Sequence, residues 1–265
     1  MIAPKKSLGQ HFLQDENIVR KIVDSLDLRK DQVVVEIGPG NGALTKYFVE
    51  LAGDVVGIEI DARAVGSLQS RFGGKLNVIH SDVLKVDLAS LYRTYGKKLR
   101  VLGNIPYYIT TEILFWLLDR RDQLVDATLM MQHEVAQRLV ARPRTKEYGI
   151  LSIFGQLFST PRVLFKVKRN SFYPKPNVDS AVVHLDFDRA LPPLNMRLFK
   201  NIVRSTFGKR RKTLRNGLKE LGFQEVALAS VQFDLTKRPE MLSLGDFCQL
   251  TQLLEPFQTN VKLRW

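Results

Sequence analysis

Gln32-Val33-Val34-Val35-Glu36-Ile37-Gly38-Pro39-Gly40-Asn41-Gly42 is the stretch that decides the fold. Its β-branched run reads as a buried strand, and the glycines that follow permit a tight turn and a close approach of backbone to a ligand. A helix predicted from about Ala43 would place its N-terminus, which attracts anionic groups, at the same spot. The spacing is Gly-x-Gly-x-Gly, one residue short of the dinucleotide pattern Gly-x-Gly-x-x-Gly. That departure argues against a nicotinamide cofactor and leaves another nucleotide-like ligand as the reading. Glu36 stands just before the glycines.

Working outward, Asp54-Val55-Val56-Gly57-Ile58-Glu59-Ile60-Asp61 predicts a second strand ending in acid, and Lys75 to His80 a third that leads to Ser81-Asp82. A carboxylate at Glu59 can accept two hydrogen bonds from ribose hydroxyls, which suits an adenosine-containing ligand. Asp61 reads as a helix cap. Asp82 can accept from an adenine amino group, or serve only as a turn acid. Val101 opens a fourth strand, Ala127 to Met131 a fifth, and Arg162 to Val167 and Ala181 to Phe187 two more. Helices are predicted between them: one capped by Asp15 with Ile18, Ile22, Val23 and Leu26 in register, one capped by Thr110, and two over Glu134 to Arg142 and Tyr148 to Phe158. This alternation predicts an α/β fold with a mostly parallel sheet covered by helices on both faces.

The fourth strand runs into Asn104-Ile105-Pro106-Tyr107. Pro106 lacks an N–H and biases Ile105 away from helix, so the strand stops and the tetrad sits at its carboxyl edge, where open α/β sheets bind ligands. Asn104 Oδ1 and the Ile105 carbonyl can accept the two N–H bonds of a planar amine while Tyr107 stacks on its ring. An Asn-Pro-type turn with no chemistry is the alternative. Ser171 to Ser180, with Phe172-Tyr173-Pro174-Lys175-Pro176, is a proline-stiffened linker, and a rigid loop with Phe172 packed inward is one reading of it.

The chain has 265 residues, 45% of them hydrophobic, and a formal charge of +13, which favours a polyanionic partner such as nucleic acid or an anionic membrane surface. No apolar run approaches the roughly 20 residues of a membrane span, and no signal-peptide core stands at the N-terminus, so a soluble, cytoplasmic protein is expected. Cys248 is the single cysteine and the four histidines are scattered; His133-Glu134 lacks the second histidine of a zincin, Gln137 standing there, so no metal is expected.

Leu191-Pro192-Pro193 marks a compositional boundary, giving expected domains 1–188 and 189–265. Beyond it, Phe199, Ile202, Val203 and Phe207, then Leu214, Leu218 and Leu221, then Phe247, Leu250 and Leu254 mark three helices. From Arg197 to Lys219 nine residues are Lys or Arg and none is acidic. Arg204, Lys209, Arg210, Arg211, Lys212 and Arg215 are therefore the candidates for a phosphate-binding surface, against the ordinary alternative of a solvated face.

Lys-Lys-x-x-Gly-Gln-x-Phe at Lys5 to Phe12, Glu-Ile-Gly-Pro-Gly-x-Gly at Glu36 to Gly42, Glu59, Asp82, Asn104 to Tyr107, and Phe-x-Pro-x-Pro-x-Val-x-Ser at Phe172 to Ser180 together resemble the ribosomal RNA adenine dimethyltransferases, nearest the small-subunit N6,N6 type. The resemblance spans nearly the whole chain. It implies a class I, seven-stranded, Rossmann-like S-adenosylmethionine-dependent methyltransferase domain with a small helical RNA-binding domain. The implied substrate is a pair of adjacent adenosines near the 3′ end of small-subunit (16S) rRNA within a pre-assembled subunit, methylated by a monomer. Carried over by position, His11, Leu13, Gly38, Glu59, Asp82 and Asn104 would contact the cofactor. Asn104 and Ile105 would hold the target amine, and Tyr107 and Phe172 would sandwich its base. The family commonly has Asn where this chain has His11.

Two further readings stay open on sequence: a large-subunit rRNA adenine methyltransferase, and an RNA-binding assembly factor whose methylation is incidental. A nicotinamide-dependent dehydrogenase is opposed by the glycine spacing.

Overall fold

The computed structural model describes residues 2–260, which fold as two compact units, 2–137 with 159–189, and 138–158 with 190–260. The sequence reading placed everything up to residue 188 in one domain. Arg138–Phe158 instead belongs with the C-terminal helices, because its apolar helix packs there.

The strands of the first unit are β1 (Phe12–Leu13), β2 (Val33–Ile37), β3 (Asp54–Glu59), β4 (Asn77–His80), β5 (Leu99–Asn104), β6 (Leu124–Gln132), β7 (Thr160–Val167), β8 (Phe172–Tyr173) and β9 (Ser180–Asp186). Among the described residues seven of them form one sheet in the order β4-β3-β2-β5-β6-β9-β7. The first five in that order are parallel, and β9 runs antiparallel to both β6 and β7. Every side chain of β2 is buried, which is why it reads as an unbroken apolar run rather than an alternating one. The chain order reverses direction across β2 and β5, so their carboxyl ends form the crevice where such sheets take ligands.

Sequence chemistry sets the helix starts. Asp15 caps α1 (Glu16–Asp24) by accepting from the N–H groups of Asn17 and Ile18, and Asp61 caps α3 (Ala62–Phe72) through Arg63. Between them α2 is a single turn, Thr45–Phe48, rather than the longer helix expected from Ala43. Asp87 caps α4 (Leu88–Tyr95). Thr110 is the first residue of α5 (Thr110–Leu118) and not its cap; its hydroxyl donates to the Pro106 carbonyl at 3.0 Å instead. At the amino-terminal edge of β5 and β6, Arg100 forms a partly buried fork with Asp126 at 2.6 to 3.1 Å.

The two-stranded pairing of β1 with β8 was not expected. Phe12 faces Tyr173 and Leu13 faces Phe172, which staples the N-terminal segment to the proline-rich loop.

The helix α6 (His133–Val140) crosses from the first unit into the second. The second unit is helical: α7 (Ile150–Phe158), α8 (Met196–Gly208), α9 (Leu214–Leu221), α10 (Glu225–Ser230) and α11 (Leu244–Leu254). Its core packs Phe154 against Phe199 with ring centroids 6.2 Å apart, and the buried Tyr148 hydroxyl donates to the Leu242 carbonyl at 2.8 Å. Asn195 caps α8, and Ser243 with Asp246 forms a reciprocal capping box on α11. Among the described residues no helix is long and apolar enough to cross a membrane.

Candidate active site

Ile37 of β2 lies opposite Gly103 of β5, so the glycine turn and the Asn104 tetrad emerge side by side. Gly103 is required by that closeness, since a Cβ there would sit 2.6 Å from the Ile37 carbonyl oxygen. Gly38 adopts φ of +64°, and a Cβ at Gly38 would meet nothing within 4 Å, so open space lies over the turn. The strand ends enclose a cavity of about 200 Å³ walled by Gly38, Glu59, Asp82, the tetrad and Leu8 to Phe12 of the N-terminal segment.

The acids are arranged for different tasks. Glu59 is 4% exposed; its Oε2 accepts from the Gly40 N–H at 2.9 Å and its Oε1 from the Asp61 N–H at 2.8 Å. Each oxygen keeps a lone pair for a further donor in the cavity. Asp82 accepts from Leu84 through Oδ1 alone, leaving Oδ2 on the cavity wall. Glu36, 2% exposed, is not on that wall. Burial pushes its carboxyl up to about 8, against a lowering bond from the Thr45 hydroxyl at 2.5 Å and with a smaller raising effect from Glu59.

Asn104 and Tyr107 are held by groups far away in sequence. Asn104 Nδ2 donates to the His11 carbonyl at 2.8 Å, which turns Oδ1 to the other side as a remaining acceptor. Ile105 has a buried side chain, and its N–H donates to Met130, which leaves the carbonyl as its group for the cavity. Tyr107 shares a 2.6 Å hydrogen bond with the Ser180 hydroxyl, and burial raises its phenol above the ordinary value. The His11 ring lies against it, centroids 5.6 Å apart and 25° from parallel. His11 Nδ1 is 2.6 Å from the Pro174 carbonyl, so that nitrogen carries the proton and donates.

The N-terminal segment is therefore built into the site. Gln10 Nε2 donates to Asp61 Oδ2 at 3.3 Å, the Lys5 N–H donates to Gln10 Oε1 at 2.8 Å, and the Lys5 ammonium lies 3.6 Å from Asp61. The Arg63 guanidinium beside Asp61 holds that carboxyl well below the usual carboxylate range. Gln10, Asp61 and Ser180 escaped the sequence reading as site residues, although Gln10 and Ser180 stand in the quoted motifs.

Seven expected site residues, His11, Gly38, Glu59, Asp82, Asn104, Ile105 and Tyr107, thus line one cavity. Leu13 and Phe172 do not. Leu13 is buried and Phe172 is only 4% exposed, both in the core with Val167 and Val182. Successive strand residues point to opposite faces, so sending Phe172 inward turns Tyr173 outward, and Tyr173 is 57% exposed.

Part of the basic run is engaged within the protein. Acids distant in sequence meet it: Lys209 lies 3.6 Å from Glu220, Arg215 pairs with Glu225, and Arg210 bonds Glu240 at 3.1 Å and the carbonyls of Thr145 and Lys146. The Arg204 guanidinium lies over the Phe154 ring at 5.6 Å. Arg211 and Lys212 are exposed and have no acidic partner among the described residues.

The family model described as "Ribosomal RNA adenine dimethylase" matches residues 2–255. The chain is 46% identical over 255 residues to "Ribosomal RNA small subunit methyltransferase A" of Chlorobium phaeobacteroides (strain BS1), covering 96% of this chain and 95% of the relative. Among solved structures it is similar to a dimethyladenosine transferase from Plasmodium falciparum, at 27% identity and a TM-score of 0.80, over 95% of this chain and 100% of that one. It is also similar to the 23S rRNA methyltransferase ErmE, at 27% identity and a TM-score of 0.69, over 92% and 99% of the two chains.

Proposed function

Because the chain belongs to the ribosomal RNA adenine dimethylase family, we propose that it dimethylates N6 of two adjacent adenosines near the 3′ end of small-subunit rRNA, acting as a monomer on a pre-assembled subunit. It is an S-adenosylmethionine-dependent rRNA adenine dimethyltransferase with a class I methyltransferase fold. When bound, S-adenosylmethionine supplies a methyl group on a positively charged sulfonium.

The cavity fits that cofactor by its donor set and its space. Gly38 leaves room where any side chain would intrude, Glu59 keeps lone pairs for ribose hydroxyls, and Asp82 Oδ2 can accept from an adenine amino group. His11 borders the same space from the N-terminal segment.

For the target, Asn104 Oδ1 and the Ile105 carbonyl accept the N6–H bonds, and Tyr107 stacks on the base. An amino group conjugated to a ring is a poor nucleophile, and acceptors on its hydrogens stabilise the positive character that nitrogen gains during transfer. The base must leave its stack to reach such a pocket, which favours an unpaired loop or end. No covalent enzyme intermediate is required, since positioning carries this reaction. The Arg211 and Lys212 surface of the helical unit supplies phosphate contacts.

The observation that carries the catalytic reading is the Asn104 amide, whose nitrogen is used on the His11 carbonyl so that its oxygen is left to accept. The test is to incubate the protein with labelled S-adenosylmethionine and separately with under-methylated small and large subunits, then map the labelled nucleotide. Label on two adjacent small-subunit adenosines supports the proposal. Label on the large subunit, the substrate class named for the ErmE neighbour, overturns it.

A further inference from the structure

The loop from Lys168 to Asp179 is tied to the active site at several points. Ser180 holds the Tyr107 hydroxyl, the Pro174 carbonyl holds His11, and Tyr173 pairs through its backbone with Phe12, a residue of the cavity wall. The loop is also braced from below. The Arg169 N–H donates to Asp179 Oδ1 at 3.0 Å, Lys166 Nζ meets Asp179 Oδ2 at 2.9 Å, and the His133 N–H donates to the Asp179 carbonyl at 3.0 Å. Asp179 is the single acid between Lys166 and Asp179, and both its oxygens are engaged.

What this braced loop presents outward is an aromatic ring among unbalanced positive charges. Tyr173 is 57% exposed, the outward member of the pair whose other ring, Phe172, is buried. Lys168 and Lys175 are exposed on either side of it in sequence, with no acidic partner among the described residues. The loop also borders a groove of about 440 Å³ whose wall carries Lys166 and Arg169 together with His133, Glu134 and Asp179. An exposed aromatic ring next to a basic track is the arrangement that holds single-stranded nucleic acid, with a base stacked on the ring and phosphates on the cations.

We propose that Tyr173, Lys168 and Lys175 form a second nucleotide site, which takes the single-stranded RNA immediately flanking the target adenosine. The inference rests on the functional reading above and adds where the neighbouring nucleotide goes. In it Phe172 packs the loop against the core and Tyr173 faces outward. Holding the neighbour on a rigid loop keeps the splayed strand in register while one adenine occupies the Tyr107 pocket.

The test is methylation of under-methylated small subunits by the full-length protein, with KM measured across a series of salt concentrations. Tyr173→Ala is expected to raise KM for subunits about 5- to 150-fold, the range of one base–aromatic stack, and Tyr173→Phe to remain near wild type. Lys168→Gln combined with Lys175→Gln is expected to flatten the log–log salt dependence by about 0.7 for each lost contact. Affinity for S-adenosylmethionine stays constant in all three, which shows that the fold is intact. Wild-type turnover with every variant matching wild type in KM and salt slope overturns this site alone, as does an equal loss in Tyr173→Phe and Tyr173→Ala. Absence of methylation by the wild type overturns the functional reading, and this site with it.

Discussion

Replacing Glu36 by Gln tests whether a neutral carboxyl sits beneath the cofactor cavity. In the folded protein burial raises the Glu36 carboxyl from 4.5 to about 8, while in the unfolded chain it titrates near the lower value. Between those values the folded state holds a proton that the unfolded state has released, so rising pH favours unfolding. The group's contribution is fully present below about 4.5, declines as pH rises and levels off above about 8. Each pH unit in that window costs about 1.4 kcal/mol, so by pH 7 the group costs on the order of 3 kcal/mol relative to pH 4.5. Gln keeps an acceptor for the Thr45 hydroxyl but cannot titrate. Its buried amide donors would cost about 1 to 3 kcal/mol at every pH if they find no partner. The difference in unfolding free energy between variant and wild type, from urea melts without cofactor at pH 5, 6, 7 and 8, isolates Glu36 from the other titrating groups. We expect that difference to move in favour of Gln by about 1 kcal/mol or more per pH unit above pH 5. A difference independent of pH would mean that Glu36 is ionised in the folded protein, and the reasoning from burial would fail.

Asn104→Ala is expected to lower the methylation rate by about 10²- to 10³-fold at saturating S-adenosylmethionine, the effect of losing one preorganised transition-state partner, while subunit binding persists; a near wild-type rate would reduce the tetrad to a turn. Glu59→Ala should weaken cofactor binding by roughly 1.5 to 3 kcal/mol in calorimetry, and unchanged affinity would remove its ribose role. In the helical unit, Arg211→Gln with Lys212→Gln should flatten the salt dependence of RNA binding by about 0.7 to 0.9 per contact. Arg210→Gln should instead lower the melting temperature, because Arg210 is spent on Glu240 and two carbonyls. A flattened slope with unchanged melting for Arg210→Gln would reverse that assignment.

Most of the cavity was legible because its groups lie at the ends of consecutive strands. Once β2, β3 and β5 are read as neighbours in a parallel sheet, Gly38, Glu59 and Asn104 must converge at one edge, and local sequence suffices to place those ends. What local sequence did not show depends on partners remote in the chain. Phe172 was read both as packed inward and, from the resemblance, as a wall of the target site; which of Phe172 and Tyr173 points inward depends on pairing with Phe12 and Leu13, roughly 160 positions away by number. Arg210 and Arg215 read as phosphate contacts because the run around them holds no acid, and Glu225 and Glu240 lie beyond its end. The helix Ile150–Phe158 sits between two strands of the first unit in sequence and packs with the second, a choice that its own apolar face does not encode.

Composition, strand periodicity and the ordered motifs by themselves determined the α/β class, the family, the adenosine-type ligand and the strand end at which the tetrad stands. Each of those rests on interactions within a strand and the turn that ends it, whose physics is local. Tertiary structure alone decided the side of Asn104 that is left free, the burial of Glu36, the choice between the two readings of Phe172 and the partners of the basic run. Those depend on burial and on hydrogen bonds between residues far apart in the chain, and both exist only after the chain has closed on itself.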